Sequence, residues 1–158
     1  MKITLAPIGI VHSPFHGPEG MPIQAAFSDA VGTLEIYPEY VDGLRDIEGF
    51  DYLILLYQFH VATKESLRVT PFLDDETRGV FATRAPTRPN RIGFSIVRLL
   101  KVTGNILEIG NVDMVSGTPI IDIKPFVPAF DCRDGGRIGW FAGKVDRATA
   151  TRADGRMR

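Results

Sequence analysis

A single cysteine, Cys132, stands in the 158 residues. An internal disulfide is therefore impossible, and paired-cysteine metal or redox motifs are excluded, which fits a reducing compartment. Long apolar runs are missing as well: none approaches the roughly 20 residues that span a bilayer. Neither sign of charge dominates, with 18 Lys and Arg against 19 Asp and Glu for a net charge of −1. Bulk electrostatics thus points to neither nucleic acid nor membrane, and any basic surface has to be local. No GxGxxG follows a strand into a helix, and there is no P-loop, so a Rossmann-type nucleotide site is not expected. No GxSxG elbow or Ser-His-Asp order is present. His12 and His16 have the spacing of a helical metal pair, but Pro14 between them forbids the helix, so no metal is expected. The opening MKITLAPIGIV is broken by Pro7 and Gly9 and lacks a small-residue cleavage site, so it reads as a first strand and not a signal peptide. These absences describe a cytoplasmic protein.

What the chain does contain is short apolar runs separated by Gly, Pro, Asn and Asp. Ile3, Leu5, Ile8, Ile10 and Val11 outline the first strand. GTLEIYPEY turns Leu34 and Ile36 inward and Thr33, Glu35 and Tyr37 outward. VDGLRDIEGF reads as a helical turn, and the near-continuous apolar DYLILLYQFHV as a strand buried on both faces. GVFAT is a further strand, which places Arg84 at a strand end. FSIVRLLKV and ILEIGNVDMV flank Thr103-Gly104-Asn105, a hairpin signature. TPIIDIKPFVP alternates Ile121 and Ile123 with Asp122 and Lys124. Six or seven strands with few helices predict a mainly β chain, a single small β-barrel with short helices and long loops. The barrel domain is expected over 1–141, followed by a mobile basic tail over 142–158.

Four stretches carry candidate chemistry. GVFATRAPTRPNRIGFS holds Arg84, Arg88 and Arg91 on a segment stiffened by Pro86 and Pro89. Guanidinium forks on a stiff loop suit carboxylates or phosphates. The loop is either an anion clamp or a solvated segment whose arginines pair with Asp74, Asp75 and Glu76. NVDMVSGTPIIDIKPFVP carries a strand-end loop, Ser116-Gly117-Thr118-Pro119, of a kind that suits small ligands and also makes ordinary turns. His60 ends the longest apolar run, and Gln24 is a lone amide in PIQAAF.

Taken together, IGIVHSPF, PIQA, GLRDIEGFDYLILLYQFH, GVFATRAPTRPNRIG and DMVSGTPIIDIKPFVP resemble the TsaA/TrmO family, in family order, from about residue 7 to 131. The resemblance implies a dimeric β-barrel that binds S-adenosylmethionine. It also implies methylation of the exocyclic amine of a threonylcarbamoyl-adenosine beside the anticodon of a threonine tRNA. Carried over by position, it places the methyl donor on Pro22, Ile23, Gln24, His60, Val61, Arg84, Phe94, Met114, Val115, Ser116 and Gly117. It gives Arg88, Asn90 and Arg91 to the loop or to RNA. Because the amine is a weak nucleophile, a proton acceptor would help, and His60 and Asp113 are the candidates. Two departures stand out. The family's Pro-Arg-Gln reads Pro22-Ile23-Gln24, and Arg91 replaces a proline. A non-catalytic S-adenosylmethionine or nucleotide-binding module is the alternative, as is a methyltransferase with another substrate.

Overall fold

The computed structural model describes residues 1–157. Eight strands occur in chain order: β1 (Gly9–His12), β2 (Val31–Ile36), β3 (Tyr52–Gln58), β4 (Arg68–Val69), β5 (Arg78–Gly79), β6 (Ile92–Thr103), β7 (Ile106–Gly110) and β8 (Pro119–Pro125). A single α-turn, α1 (Pro128–Asp131), and several 3₁₀ turns complete the fold among the described residues. Six strands pair antiparallel in the ring β1-β2-β7-β6-β3-β8, where β8 returns to pair with β1; β4 and β5 pair only with each other.

The ring follows from period-2 patterning. Leu34 and Ile36 of β2, Leu53, Leu55 and Tyr57 of β3, Val97 of β6, Leu107 and Ile109 of β7 and Ile120 of β8 all point inward and are buried. Each fully buried aliphatic side chain contributes about 1.5–3 kcal/mol. Gly104 and Asn105 make the predicted tight turn between β6 and β7. Gly104 takes a left-handed φ of 61°, and the Asn105 amide donates to the Ile36 carbonyl at 2.9 Å.

Several expectations need correction. Residues 1–7 form no strand, and Ile3 and Leu5 are exposed. β1 starts at Gly9 because its partner β2 ends at Ile36, just before Pro38 opens a 3₁₀ turn. β3 is fully buried on its inward face only; Ile54 and Leu56 are half-buried on the outside. In β8 the inward residues are Ile120 and Ile123, opposite Tyr57 and Leu55. A bulge absorbs Ile121, so the expected alternation slips by one. GVFAT is not a strand: Val80–Ala82 form a 3₁₀ turn after the short β5. The segment 142–157, expected as a loose tail, is docked, with Ala148 and Met157 buried.

Strand directions place the loops. β1 to β2 (13–30), β3 to β6 (59–91) and β7 to β8 (111–118) all emerge at one end of the ring, as the pairings His12↔Thr33, Gln58↔Ile92, Val31↔Gly110 and Ile10↔Pro119 require. β8 ends at the opposite end, and the chain then returns to this one.

Candidate functional site

The three loops and the returning C-terminal segment enclose a cavity of about 690 Å³. Its depth is set by the loop 111–118, which is stitched to the first loop. The Ser13 hydroxyl donates to the Met114 carbonyl at 2.6 Å, Ser28 donates to the Val112 carbonyl, and the Asn111 amide donates to Ser28 O at 2.8 Å. Asn111 sits at φ 60°, a conformation asparagine tolerates. This loop delivers Asp113, Met114, Val115 and Thr118 to the cavity floor.

The arginine loop resolves into three roles. Arg84 is exposed on the cavity wall; it donates to Gln24 Oε1 at 2.8 Å, and its guanidinium carbon lies 5.8 Å from the Phe94 ring centroid. Arg88 turns inward and donates to the carbonyls of Thr83 at 3.2 Å and Val80 at 3.3 Å, so it braces the 3₁₀ turn. Arg91 donates to the Thr63 carbonyl at 3.2 Å and ties down the start of the excursion. Asn90 and Arg91 both take left-handed φ, 62° and 49°, where the family's proline would not fit. None of the three arginines pairs with Asp74, Asp75 or Glu76. Arg78 pairs with Asp74 and Glu76, and Lys144 pairs with Asp74.

Of the residues expected around the donor, Pro22, Ile23, Gln24, His60, Val61, Arg84, Phe94, Met114 and Val115 line the cavity. Ser116 and Gly117 do not line it. Their backbone N–H groups are taken by the carbonyls of Phe15 (2.7 Å) and Val11 (2.8 Å). His60 lies at the rim, with Nδ1 3.4 Å from Thr118 Oγ1. The Thr118 hydroxyl proton goes to the Val115 carbonyl at 2.6 Å, so in that pair the ring nitrogen donates. Partial burial holds the ring's pKa below its usual value, against a hydrogen bond to the Gln58 backbone that raises it.

Asp113 is an acid of the cavity whose pKa is raised; Asp154, at the C-terminal wall, is instead lowered by Arg156. Burial raises the Asp113 carboxyl to about 6, although Ser95, the backbone amides of Asp113 and Ala25, and the charge of Arg84 all favour ionisation. Ser95 Oγ donates to Asp113 Oδ1 at 2.6 Å, and Tyr57 OH lies 3.1 Å from Ser95 Oγ. Ser95 and Tyr57 escaped the sequence reading. The available signal was a polar side chain, Ser95, on the inward row Gly93, Ser95, Val97 of β6.

The C-terminal segment forms the last wall. Ala153 exchanges backbone hydrogen bonds with Gly20 (2.8 Å) and Met21 (2.9 Å). Trp140 Nε1 donates to the Ala82 carbonyl at 2.7 Å, Arg147 donates to the Leu73 carbonyl at 2.9 Å, and Lys144 Nζ reaches Asp74 at 2.5 Å. Met157 packs with Val69, Val80 and Ala85. Nothing in the polar, basic sequence of 142–158 marked it as part of a site. Among the described residues, no cluster of three or more His, Cys, Asp or Glu is placed to hold a metal, and no helix is long and apolar enough to cross a membrane.

Comparison with known proteins agrees with this geometry. A Pyrococcus abyssi protein named a probable S-adenosyl-L-methionine-binding protein is 52% identical over 158 residues, covering 99% of this chain and 86% of that one. The Escherichia coli tRNA (adenine(37)-N6)-methyltransferase is 39% identical over 132 residues, 77% of this chain and 56% of its own length. The crystal structure of TrmO from Pseudomonas aeruginosa superposes with a TM-score of 0.75 at 38% identity, covering 88% of this chain and 62% of that one. The chain thus spans little more than half of the proteins whose names state an activity or the TrmO identity. Residues 10–132 match the family described as the tRNA-methyltransferase O N-terminal domain, and the chain belongs to that family.

Proposed function

We propose that the protein is an S-adenosylmethionine-dependent tRNA methyltransferase that modifies the exocyclic N6 amine of an adenosine beside the anticodon, with threonylcarbamoyl-adenosine of a threonine tRNA as the acceptor. The observation that carries the reading is the convergence of Gln24, Arg84, Phe94 and Asp113, from four separate segments, on one cavity at the loop end of the ring. The cavity fits the donor. Its volume lies within the roughly 300–1,000 Å³ of small-molecule sites, and its walls are mainly apolar and aromatic with a few convergent polar groups. Pro22, Ile23, Gln24, His60, Val61, Arg84, Phe94, Met114 and Val115 would hold it, with the Arg84 guanidinium suited to a carboxylate. When bound, the donor supplies an electrophilic methyl carbon whose bond pair leaves with sulfur. The chain's own work is to hold the acceptor, exclude water and accept the amine's proton, with His60 and Asp113 as the candidate acceptors. A single-stranded anticodon-loop base can be splayed into such a cavity without opening a duplex. Arg91 and Asn90, which are not buried, would meet RNA backbone.

The closed ring of pairings supports the small-barrel reading, and the docked 142–157 segment supports treating it as a wall of that barrel's site. A homodimer is part of the proposal. One register row of the outer face runs Val31, Gly110, Arg98, Tyr52, with Val31 and Tyr52 exposed, and light scattering tests whether copies associate there. We also place the protein in the cytoplasm, where its tRNA substrate resides.

A second reading, donor binding without transfer, draws on coverage. The chain spans 86% of a relative named for binding and 56% of one named for transfer. Calorimetric titration with S-adenosylmethionine, followed by incubation with bulk tRNA, separates the two. Binding with formation of S-adenosylhomocysteine supports transfer; binding without it supports the second reading; no binding with or without tRNA rejects both.

A further inference from the structure

We propose that Asp113 is the proton acceptor of the cavity and that Ser95 is the positioning residue that aims it, anchored from behind by Tyr57. This rests on the methyltransferase reading and deepens it.

The hydroxyl protons decide the direction of the chain. Ser95 has one proton, and it goes to Asp113 Oδ1 at 2.6 Å. Ser95 Oγ is then the acceptor in its 3.1 Å contact with Tyr57 OH, so the order of donation is Tyr57 to Ser95 to Asp113. Each donor in such a chain strengthens the next. Both inner members are fixed. Ser95 is 2% exposed and Tyr57 5% exposed. Burial first, and the charge of Asp113 second, keep the Tyr57 phenol protonated, so it can only donate to Ser95. The ring's place is set by Gly93, its register partner on β6, and by an edge contact with Phe59 at 5.4 Å between centroids.

The chain leads outward to a single carboxylate on the cavity floor. Charged and titratable neighbours of that carboxylate are Arg84 on the facing loop and Tyr57 on β3; Ser95 comes from β6 and the Ala25 amide from the first loop. An amine that takes a methyl group has to lose one proton, and a carboxylate that binds protons near the working pH is suited to take it and pass it to water. His60, by contrast, is exposed at the rim, and its ring is tied sideways to Thr118. Mere structural support is an inadequate account of the pair: a buried Ser–Tyr contact needs no third member, yet this one ends on an acid facing the cavity.

The test follows the Asp113 carboxyl by carbon NMR in the full chain without donor, and in parallel the pH dependence of single-turnover methyl transfer to tRNA. Ser95→Ala removes the donor that favours the charged form. We expect the carboxyl to hold its proton about tenfold more tightly. Transfer at pH 6 then falls about fivefold and is nearly unchanged at pH 8. Tyr57→Phe keeps the ring and shifts both readouts the same way by less, which covers the case in which Ser95→Ala misfolds. An Asp113 titration that does not move in either folded variant, or one that moves while the acid limb of transfer stays in place, would overturn the proposal. Failure of the methyltransferase reading looks different: the unmodified protein transfers no methyl group to RNA at any pH, and the acceptor role falls with it.

Discussion

Gly93→Ala isolates one close approach in the core. Gly93 pairs with Tyr57 across β6 and β3, and an added Cβ would stand 2.2 Å from Tyr57 Cε2, 2.4 Å from Cζ and 2.7 Å from Cδ2. Carbon atoms prefer about 3.5–4.0 Å, so the ring has to retreat by more than about 1 Å. It has little room, because its hydroxyl is held by Ser95, its edge meets Phe59, and it is buried. Overpacking of this kind costs about 1–3 kcal/mol, and the displaced phenol forfeits a hydrogen bond worth about 1 kcal/mol. Against this, alanine restricts the unfolded chain and returns about 0.4–1 kcal/mol. The net expectation is a loss of about 1–3 kcal/mol. Urea unfolding reads it as a lower midpoint at unchanged slope, and a thermal melt as a drop of about 2–12 °C. Combining Gly93→Ala with Tyr57→Leu should recover much of the loss, giving a coupling above about 1 kcal/mol. Full stability in Gly93→Ala, or additivity of the two changes, would refute the reasoning.

Other outcomes follow from the site and its walls. Arg84→Ala removes a charge-assisted donor and its face on Phe94, and should weaken S-adenosylmethionine about 10- to 100-fold by calorimetry; unchanged affinity counts against the site assignment. Asp113 is raised from the usual range to about 6, so between pH 4 and 6 the folded state holds a proton that the unfolded chain has released, and stability falls as pH rises through that window. Asp113→Asn should therefore abolish transfer yet gain up to about 3 kcal/mol at pH 7 and nothing at pH 4, as read by urea midpoints at the two pH values. Asp74 is held well below the usual carboxylate range, chiefly by Lys144, with Arg78 also contributing. Its contribution is present above about pH 4 and lost as acid protonates it. Trp140 is the sole tryptophan and lies beside this network, so its emission should redden in Asp74→Asn at neutral pH, and in the unmodified protein only on acidification. Constant emission in both cases would mean that the charges do not hold the segment.

Much of the ring was legible because its strands obey a period of two. Leu34 with Ile36, and the Gly104-Asn105 turn, needed only neighbours in sequence. Ile3 and Leu5 show where that logic stops: they alternate, yet no strand edge reaches them once β2 ends before Pro38. The slip at Ile121 is a two-strand event and leaves no mark on one strand's pattern. GVFAT had β-leaning residues, but the Val80 carbonyl collects the Thr83 hydroxyl, the Thr83 amide and Arg88, which favours a tight turn. At the site, Gln24 and Arg84 meet across 60 positions and Tyr57 and Ser95 across 38. Spacing cannot foresee such pairs; family resemblance pointed to the first, and the second left only a polar Ser95 on an inward row as its signal. The basic segment after 141 misled for a related reason. Its apolar residues are small or isolated and show no periodicity, yet Ala148 is buried and Met157 fits among Val69, Val80 and Ala85.

That last wall has a consequence for the birth of the protein. Met21 and Ala153 are hydrogen-bonded across the cavity, and Met157 plugs a cluster built from residues 69 to 85. The ring strands are all synthesised by residue 125, but the cavity cannot be enclosed until position 157 has cleared the ribosome. Until then an emerging chain has an open, apolar-lined mouth at this end of the ring, so that is the surface a chaperone would meet.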